Sequence, residues 1–250
     1  MNDAAIAKAA SLLIVARRTR TPLERLPEDC RPATLDDAHR IQAASVAQMN
    51  EQVAGWKVGA AIDGQISYGV LLGSRILKSG ATFDAREGPL LGMEAEIGFR
   101  FLHDAPARGA PYTRDEIADR VIAFPAIEIV ATRYGDYKGT PVIERTADCM
   151  SNGAYVVGDD RPDWRSFDLV NIGVTLTFGD AVIVQRNGGH TAGDPLKPAV
   201  DLANALRGSS GVRAGQLMTT GTYTGLNFAT PGRRIRAVFE KFGAAEVNVA

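Results

Sequence analysis

A chain of 250 residues, 45% hydrophobic and 23% charged, can fill one large core or a small domain joined to a larger one. Its 28 basic and 29 acidic side chains leave a net charge of -1 and are spread along the sequence. That excludes the basic patch of a nucleic-acid binder and the polybasic tract of a membrane anchor. Cys30 and Cys149 lie far apart with no CxxC spacing, so neither a thiolate metal site nor a disulfide framework is expected. The apolar stretch Ala4 to Ala16 is broken by Lys8 and Ser11 and followed, not preceded, by Arg17, Arg18 and Arg20. It has the wrong order for a signal peptide and is too short for a membrane span, so a cytoplasmic location is expected.

In chain order, residues 3–18 carry Ala, Leu, Ile and Arg at near-helical spacing and predict a first helix. Thr34, with Asp37 three residues on, marks the start of a second helix running to about Asn50. From Val53 glycine becomes frequent and apolar residues alternate, predicting strands at 54–62, 91–102, 122–132, 153–158, 171–178 and 181–186. Gly179-Asp180 joins the last two as a tight hairpin. Two helices interrupt: 113–121, opened by Thr113 with Glu116, and one from Asp194-Pro195 through Leu206. From Gly211 onward the texture is β again, with glycine turns at 221–225 and 231–232. The reading is an α+β protein: a helical N-terminal region over 1–52, then a mixed-β domain over 53–250.

The segment from Leu91 to Phe101 alternates, so Met93, Ala95, Ile97, Phe99 and Phe101 share one strand face and Glu94 and Glu96 the other. Two carboxylates so placed repel unless a positive group or water separates them, though an isolated E-x-E is also the mark of a polar strand face. Glu128 sits in a strand apolar on both faces, between Phe124, Ala126 and Val130 on its own side and Ile127 and Ile129 on the other. A carboxylate there is costly to bury unless it is paired, protonated or bound to a metal. Three glutamates without nearby His or Cys suit a hard cation, Mg²⁺ or Mn²⁺, over zinc.

Lys57 lies in the Gly-flanked apolar run Ala54 to Ala61, where it either snorkels to the surface or is a desolvated amine of lowered pKa that shuttles protons. Gly55 and Gly59, on the same face, are expected to leave room for a ligand. His190, in the loop Asn187 to Thr191, reads as solvent-exposed, His39 as structural and His103 as part of a turn.

Gly55-Trp56-Lys57-Val58-Gly59, Glu94-Ala95-Glu96, Pro125-Ala126-Ile127-Glu128 with Arg133, and Asp148-x-x-Ser151-x-Gly153 follow one another in order. Together they resemble the 2-keto-4-pentenoate hydratase and 4-oxalocrotonate decarboxylase branch of the fumarylacetoacetate hydrolase superfamily. Gly215 to Thr222 resembles that family's closing G-D-x-x-x-T-G segment, with Gln216 for the acid. The resemblance runs from about Ala38 to the end. It implies a mixed β-sandwich or roll, a homo-oligomer that can also join a pathway partner enzyme, and Mg²⁺ or Mn²⁺ on Glu94, Glu96 and Glu128. It further implies a small 2-oxo acid substrate reacting through an enolate whose charge the cation stabilises. Lys57 matches the catalytic lysine; Ser151 and Thr220-Gly221-Thr222 would fix the substrate.

Ser67-Tyr68-Gly69 stands where hydratases of this group carry an acid, and Ser67 is a poor general base. The D-N-A-S pattern reads Asp148-Cys149-Met150-Ser151, and G-H-P-L reads Gly193-Asp194-Pro195-Leu196. Hydration of a 2-hydroxy-2,4-dienoate leads the expected functions. Decarboxylation of a 2-oxo-enedioate and enol–keto tautomerisation follow, since neither needs an activated water. Arg75 and Arg133 are the cations considered for a distal substrate carboxylate. The superfamily's hydrolases use a His-Glu pair before the E-x-E strand, and residues 60–93 hold no histidine. A non-catalytic partner subunit is the remaining alternative, against which stand the costly carboxylates and Lys57.

Overall fold

The computed structural model describes residues 1–88 and 90–250. Helix α1 (Asp3–Thr19) starts at Asn2, whose side chain accepts from the Ala5 amide at 2.8 Å, and ends on left-handed Arg20. Helix α2 (Leu35–Met49) opens with a full capping box between Thr34 and Asp37. The two pack through Ile6, Ala9, Ala10 and Leu13 against Ala38 and Ile41, with Tyr134 and Ala147 in the same cluster. Small alanines at these contacts let the helix axes approach closely.

Among the described residues the rest of the chain forms two sheets from thirteen strands. In chain order the first four are β1 (Val53–Ile62), β2 (Gln65–Leu72), β3 (Ile76–Lys78) and β4 (Thr82–Phe83). The next four are β5 (Gly92–Phe101), β6 (Val121–Val130), β7 (Asn152–Val157) and β8 (Gly173–Phe178). Then follow β9 (Ala181–Asn187), β10 (Leu217–Thr219), β11 (Asn227–Phe228), β12 (Arg233–Phe239) and β13 (Gly243–Val249). The larger sheet runs β2-β1-β10-β5-β6-β7-β3 with β11 also on β5; the smaller runs β4-β13-β12-β8-β9.

Alternation decides how they stack. Met93, Ala95, Ile97, Phe99 and Phe101 of β5 meet Val174 and Leu176 of β8, Ile235, Ala237 and Phe239 of β12, and Ala245 and Val247 of β13 in one core. The opposite face of the larger sheet carries Leu71, Phe124, Ala126, Tyr155 and Leu217, and it is on this face that the glutamates lie. All ten residues of β6 are buried, which explains an apolar run interrupted by Glu128 alone. The α+β roll with few helices agrees with the sequence reading.

Three details differ from it. Residues 65–72 form β2, folded back on β1 through Asp63 (φ 50°) and Gly64 (φ 78°). A short helix, α4 (Val142–Ala147), follows Pro141, after α3 (Arg114–Ala118). The next helix, α5 (Lys197–Leu206), starts two residues later than Asp194-Pro195 suggested, with Leu196 at the N-cap. Asp194 instead closes a turn, accepting from the Leu196 amide at 3.0 Å, and Pro198 serves the first helical turn. Among the described residues no helix is long and apolar enough to cross a membrane.

Candidate active site

The β5–β6 ladder sets Glu94 opposite Glu128 and Glu96 opposite Ala126. All three carboxylates therefore share one face, two facing across the ladder and the third one pleat repeat along. One oxygen from each lies within 4.8 Å of the others. Glu96 and Glu128 are buried and Glu94 is half-buried. Lys57 reaches over from β1, its Nζ 2.9 Å from Glu128 Oε1. The Asn152 amide, from the start of β7, donates to that same oxygen at 2.9 Å. Glu128 Oε2 and Glu96 Oε2 are buried with no donor.

Charge is unbalanced here. Three carboxylates face one ammonium, leaving two negative charges that burial makes expensive. Burial, then repulsion from Glu128, pushes the Glu94 carboxyl up to about 7 despite the attraction of Lys57. Burial and repulsion from Glu128 and Glu94 drive Glu96 well above the carboxylate range. Burial alone would lower Lys57, but attraction to Glu128 and Glu94 outweighs it and the amine is held protonated, neither snorkelling to the surface nor lowered as the two sequence readings had it. Convergent hard oxygens, two of them without a donor, and a deficit of two positive charges fit Mg²⁺ or Mn²⁺.

The carboxylates open into a cleft of about 510 Å³. Lys57, Glu94 and Glu96 line it together with Thr219, Thr220, Gly221 and Thr222, while Val58, Ala60, Ala61, Ile66 and Pro198 give it apolar walls. Gly221 has φ 105°, a conformation that favours glycine. The hydroxyls beside it donate to carbonyls of β5, Thr220 to Ile97 at 3.0 Å and Thr222 to Ala95 at 3.4 Å. The turn is thus pinned next to Glu96, with which Thr222 forms a bridge.

Other expected residues lie elsewhere. Arg133 does not line the cleft: it is 4% exposed, its Nε is 2.5 Å from Asp148 Oδ1 and its Nη1 donates to the Asn152 carbonyl at 3.2 Å. With its donors engaged inside the protein it meets no substrate carboxylate, and Arg75 is paired with Glu87. Ser67 is buried beside the cleft, its hydroxyl donating to the Ala60 carbonyl at 2.6 Å. Ser151 is buried behind the cleft in left-handed backbone (φ 57°), its hydroxyl without a partner. Gly59 lines the cleft as expected and Gly55 does not, and neither has open space on its Cβ side. A methyl at 55 would strike the Leu217 backbone, and one at 59 the Met150 side chain.

His190 is 6% exposed, contrary to the exposed-loop expectation. Its ring packs edge-on against Tyr223, and its Nδ1 accepts from the Ala192 amide at 3.1 Å. Asn152, Thr219, Lys197 and Asp201 were not singled out from sequence. Asn152 directly follows Ser151 and Thr219 precedes Thr220, so adjacency to recognised motifs was the available signal. Lys197 and Asp201 carried none.

No family model matches the chain. It is 28% identical over 241 residues to a 2-keto-4-pentenoate hydratase of Paraburkholderia xenovorans (strain LB400), spanning 90% of this chain and 87% of the relative. It is 26% identical over 205 residues to a 2-hydroxypent-2,4-dienoate hydratase of Pseudomonas putida, spanning 77% and 90%. Along most of its length the chain is thus similar to hydratases named for 2-keto-4-pentenoate and 2-hydroxypent-2,4-dienoate. Its fold is that of a 4-oxalocrotonate decarboxylase from Pseudomonas putida G7, solved with magnesium and adipate. The two superpose with a TM-score of 0.85 at 20% identity over 100% of this chain and 99% of the other. A maleylpyruvate hydrolase from Sphingobium sp. SYK-6, solved with manganese (II) ion and pyruvate, is more distant, with a TM-score of 0.53 at 16% identity over 80% and 70%. The named hydratases it resembles are consistent with an enzyme of the lyase class.

Proposed function

We propose that this chain hydrates a 2-hydroxy-2,4-dienoate to a 4-hydroxy-2-oxo acid. The observation that carries the reading is the meeting of three convergent carboxylates with one half-buried ammonium at the inner end of a largely apolar cleft. Residues 53–250 are the catalytic part and 1–52 a helical region, in a cytoplasmic homo-oligomer open to a pathway partner enzyme.

Glu94, Glu96 and Glu128 would hold Mg²⁺ or Mn²⁺, which when bound supplies Lewis-acid stabilisation of the charge that builds on the substrate's 2-oxygen. Lys57 Nζ, protonated beside Glu128, holds and moves the proton as the substrate passes between its enol and keto forms. The Thr220-Gly221-Thr222 turn shapes the cleft wall next to Glu96. Val58, Ala60, Ala61 and Ile66 receive the carbon tail.

The outer cleft favours hydration over decarboxylation of an enedioate. Besides Lys57, Lys197 is the one cation among the described lining residues, and Asp201 neutralises it at 2.5 Å. A distal carboxylate would meet no free positive charge there, so a monocarboxylate fits better. One observation favours tautomerisation as a second reading: the Ser67 hydroxyl is tied to the Ala60 carbonyl and offers no base for a water.

Proton NMR of 2-hydroxypenta-2,4-dienoate with the protein and Mg²⁺ separates the readings. Hydration gives 4-hydroxy-2-oxopentanoate; an oxo-pentenoate alone would leave the tautomerase reading in its place. Deuterium exchange at C3 of 2-oxopentanoate in D₂O tests the shared proton transfer. No exchange and no retained metal would point to a non-catalytic partner subunit.

A further inference from the structure

We propose that Asn152 is a positioning residue for the metal centre, turning Glu128 so that one of its oxygens stays open to a cation. The inference rests on reading the three carboxylates as a metal site.

Glu128 has two chemically equivalent oxygens in unlike surroundings. Oε1 takes two donors at 2.9 Å, the Asn152 amide and Lys57 Nζ, while Oε2 is buried and takes none. The last torsion of a glutamate is soft and roughly two-fold, so the carboxylate itself has little preference for which oxygen points where. Lys57 cannot set that choice alone, because a long flexible ammonium follows whichever oxygen is presented. The Asn152 amide sits on a short side chain whose backbone is fixed from several directions.

Its carbonyl accepts from Arg133 Nη1 at 3.2 Å and from Arg17 Nη2, on α1, at 3.4 Å. Arg133 is held in turn by Asp148, through Nε at 2.5 Å and its backbone amide at 3.1 Å. Immediately before Asn152 the chain passes through Cys149, Met150 and Ser151 at φ 50°, 53° and 57°, three successive left-handed residues that bring it into β7. Such backbone persists only where surrounding contacts over-determine it. The buried Arg133–Asp148 pair and Arg17 supply those contacts. Their role is to place one amide donor against one oxygen of Glu128.

Mn²⁺ binding, read from the electron paramagnetic resonance of free Mn²⁺, tests this on wild type, Asn152→Ala and Asn152→Leu, each checked by thermal unfolding. The leucine fills the space of the amide without donating, so a cavity effect is separated from loss of the hydrogen bond. Both variants are expected to bind Mn²⁺ about 10–100-fold more weakly than wild type. Wild-type affinity in either folded variant would overturn the inference and leave the metal-site reading standing. Absence of Mn²⁺ binding in wild type would overturn that reading, and the inference with it.

Discussion

Glu94 and Glu128 face each other directly across the β5–β6 ladder, a like-charge pairing that a sheet otherwise avoids. With Glu96 one repeat along and both Glu96 Oε2 and Glu128 Oε2 lacking donors, the arrangement is destabilising until a cation enters. Metal and fold are therefore linked, and the consequences can be measured.

Glu96→Gln removes one of the repelling carboxylates at nearly constant shape. Without metal the variant is expected to melt at or above the wild-type temperature. With millimolar Mg²⁺ the wild type should gain stability by mass action while the variant gains little. Scanning fluorimetry with and without Mg²⁺ reads both; a wild type indifferent to Mg²⁺ would refute the linkage.

Lys57→Met takes away the ammonium that lies 2.9 Å from Glu128. The metal-free protein should lose stability, because breaking a buried pair leaves a charge uncompensated. C3 exchange of 2-oxopentanoate should fall by about 10²–10⁴-fold, the usual loss with a proton carrier. Exchange surviving at wild-type rate would assign the proton transfer to another group.

Burial holds the His190 imidazole down to about 4, so the ring is neutral in the folded protein at neutral pH. An unfolded histidine titrates near 6.5, so between these values the unfolded chain binds the extra proton. Stability is full above about pH 6.5 and falls as the pH drops towards 4, by up to about 1.4 kcal/mol per unit from this group. Melting temperatures from pH 7 to 4 for wild type and His190→Gln should show a shallower acid slope in the variant.

Ser67→Ala removes the hydroxyl that donates to the Ala60 carbonyl. Loss of that bond should cost about 1 kcal/mol of stability. Turnover of the dienoate should change by less than about tenfold, far below the effect of a lost proton carrier. A drop comparable to that of Lys57→Met would instead place the hydroxyl in the chemistry.

Strand alternation, helix caps and the carboxylates were legible from residues 53 onward and at Thr34 and Thr113, because each depends on neighbours a few positions away. The later start of α5 was not, since Asp194 and Pro198 both carry start signals and packing chose between them. Burial of His190 likewise follows from Tyr223, more than thirty positions on in the chain.

The amino-acid sequence by itself determined that Glu94 and Glu96 share a face and that Glu128 is buried, as period-two geometry and the cost of an isolated charge require. Only the tertiary structure decided that Glu128 lies opposite Glu94, that Lys57 supplies its counter-charge, and that Arg133 is engaged by Asp148 instead of facing the cleft. Register between distant strands is set by closure of the sheet and packing of its two faces. No local pattern encodes which far-off side chain will stand across the ladder.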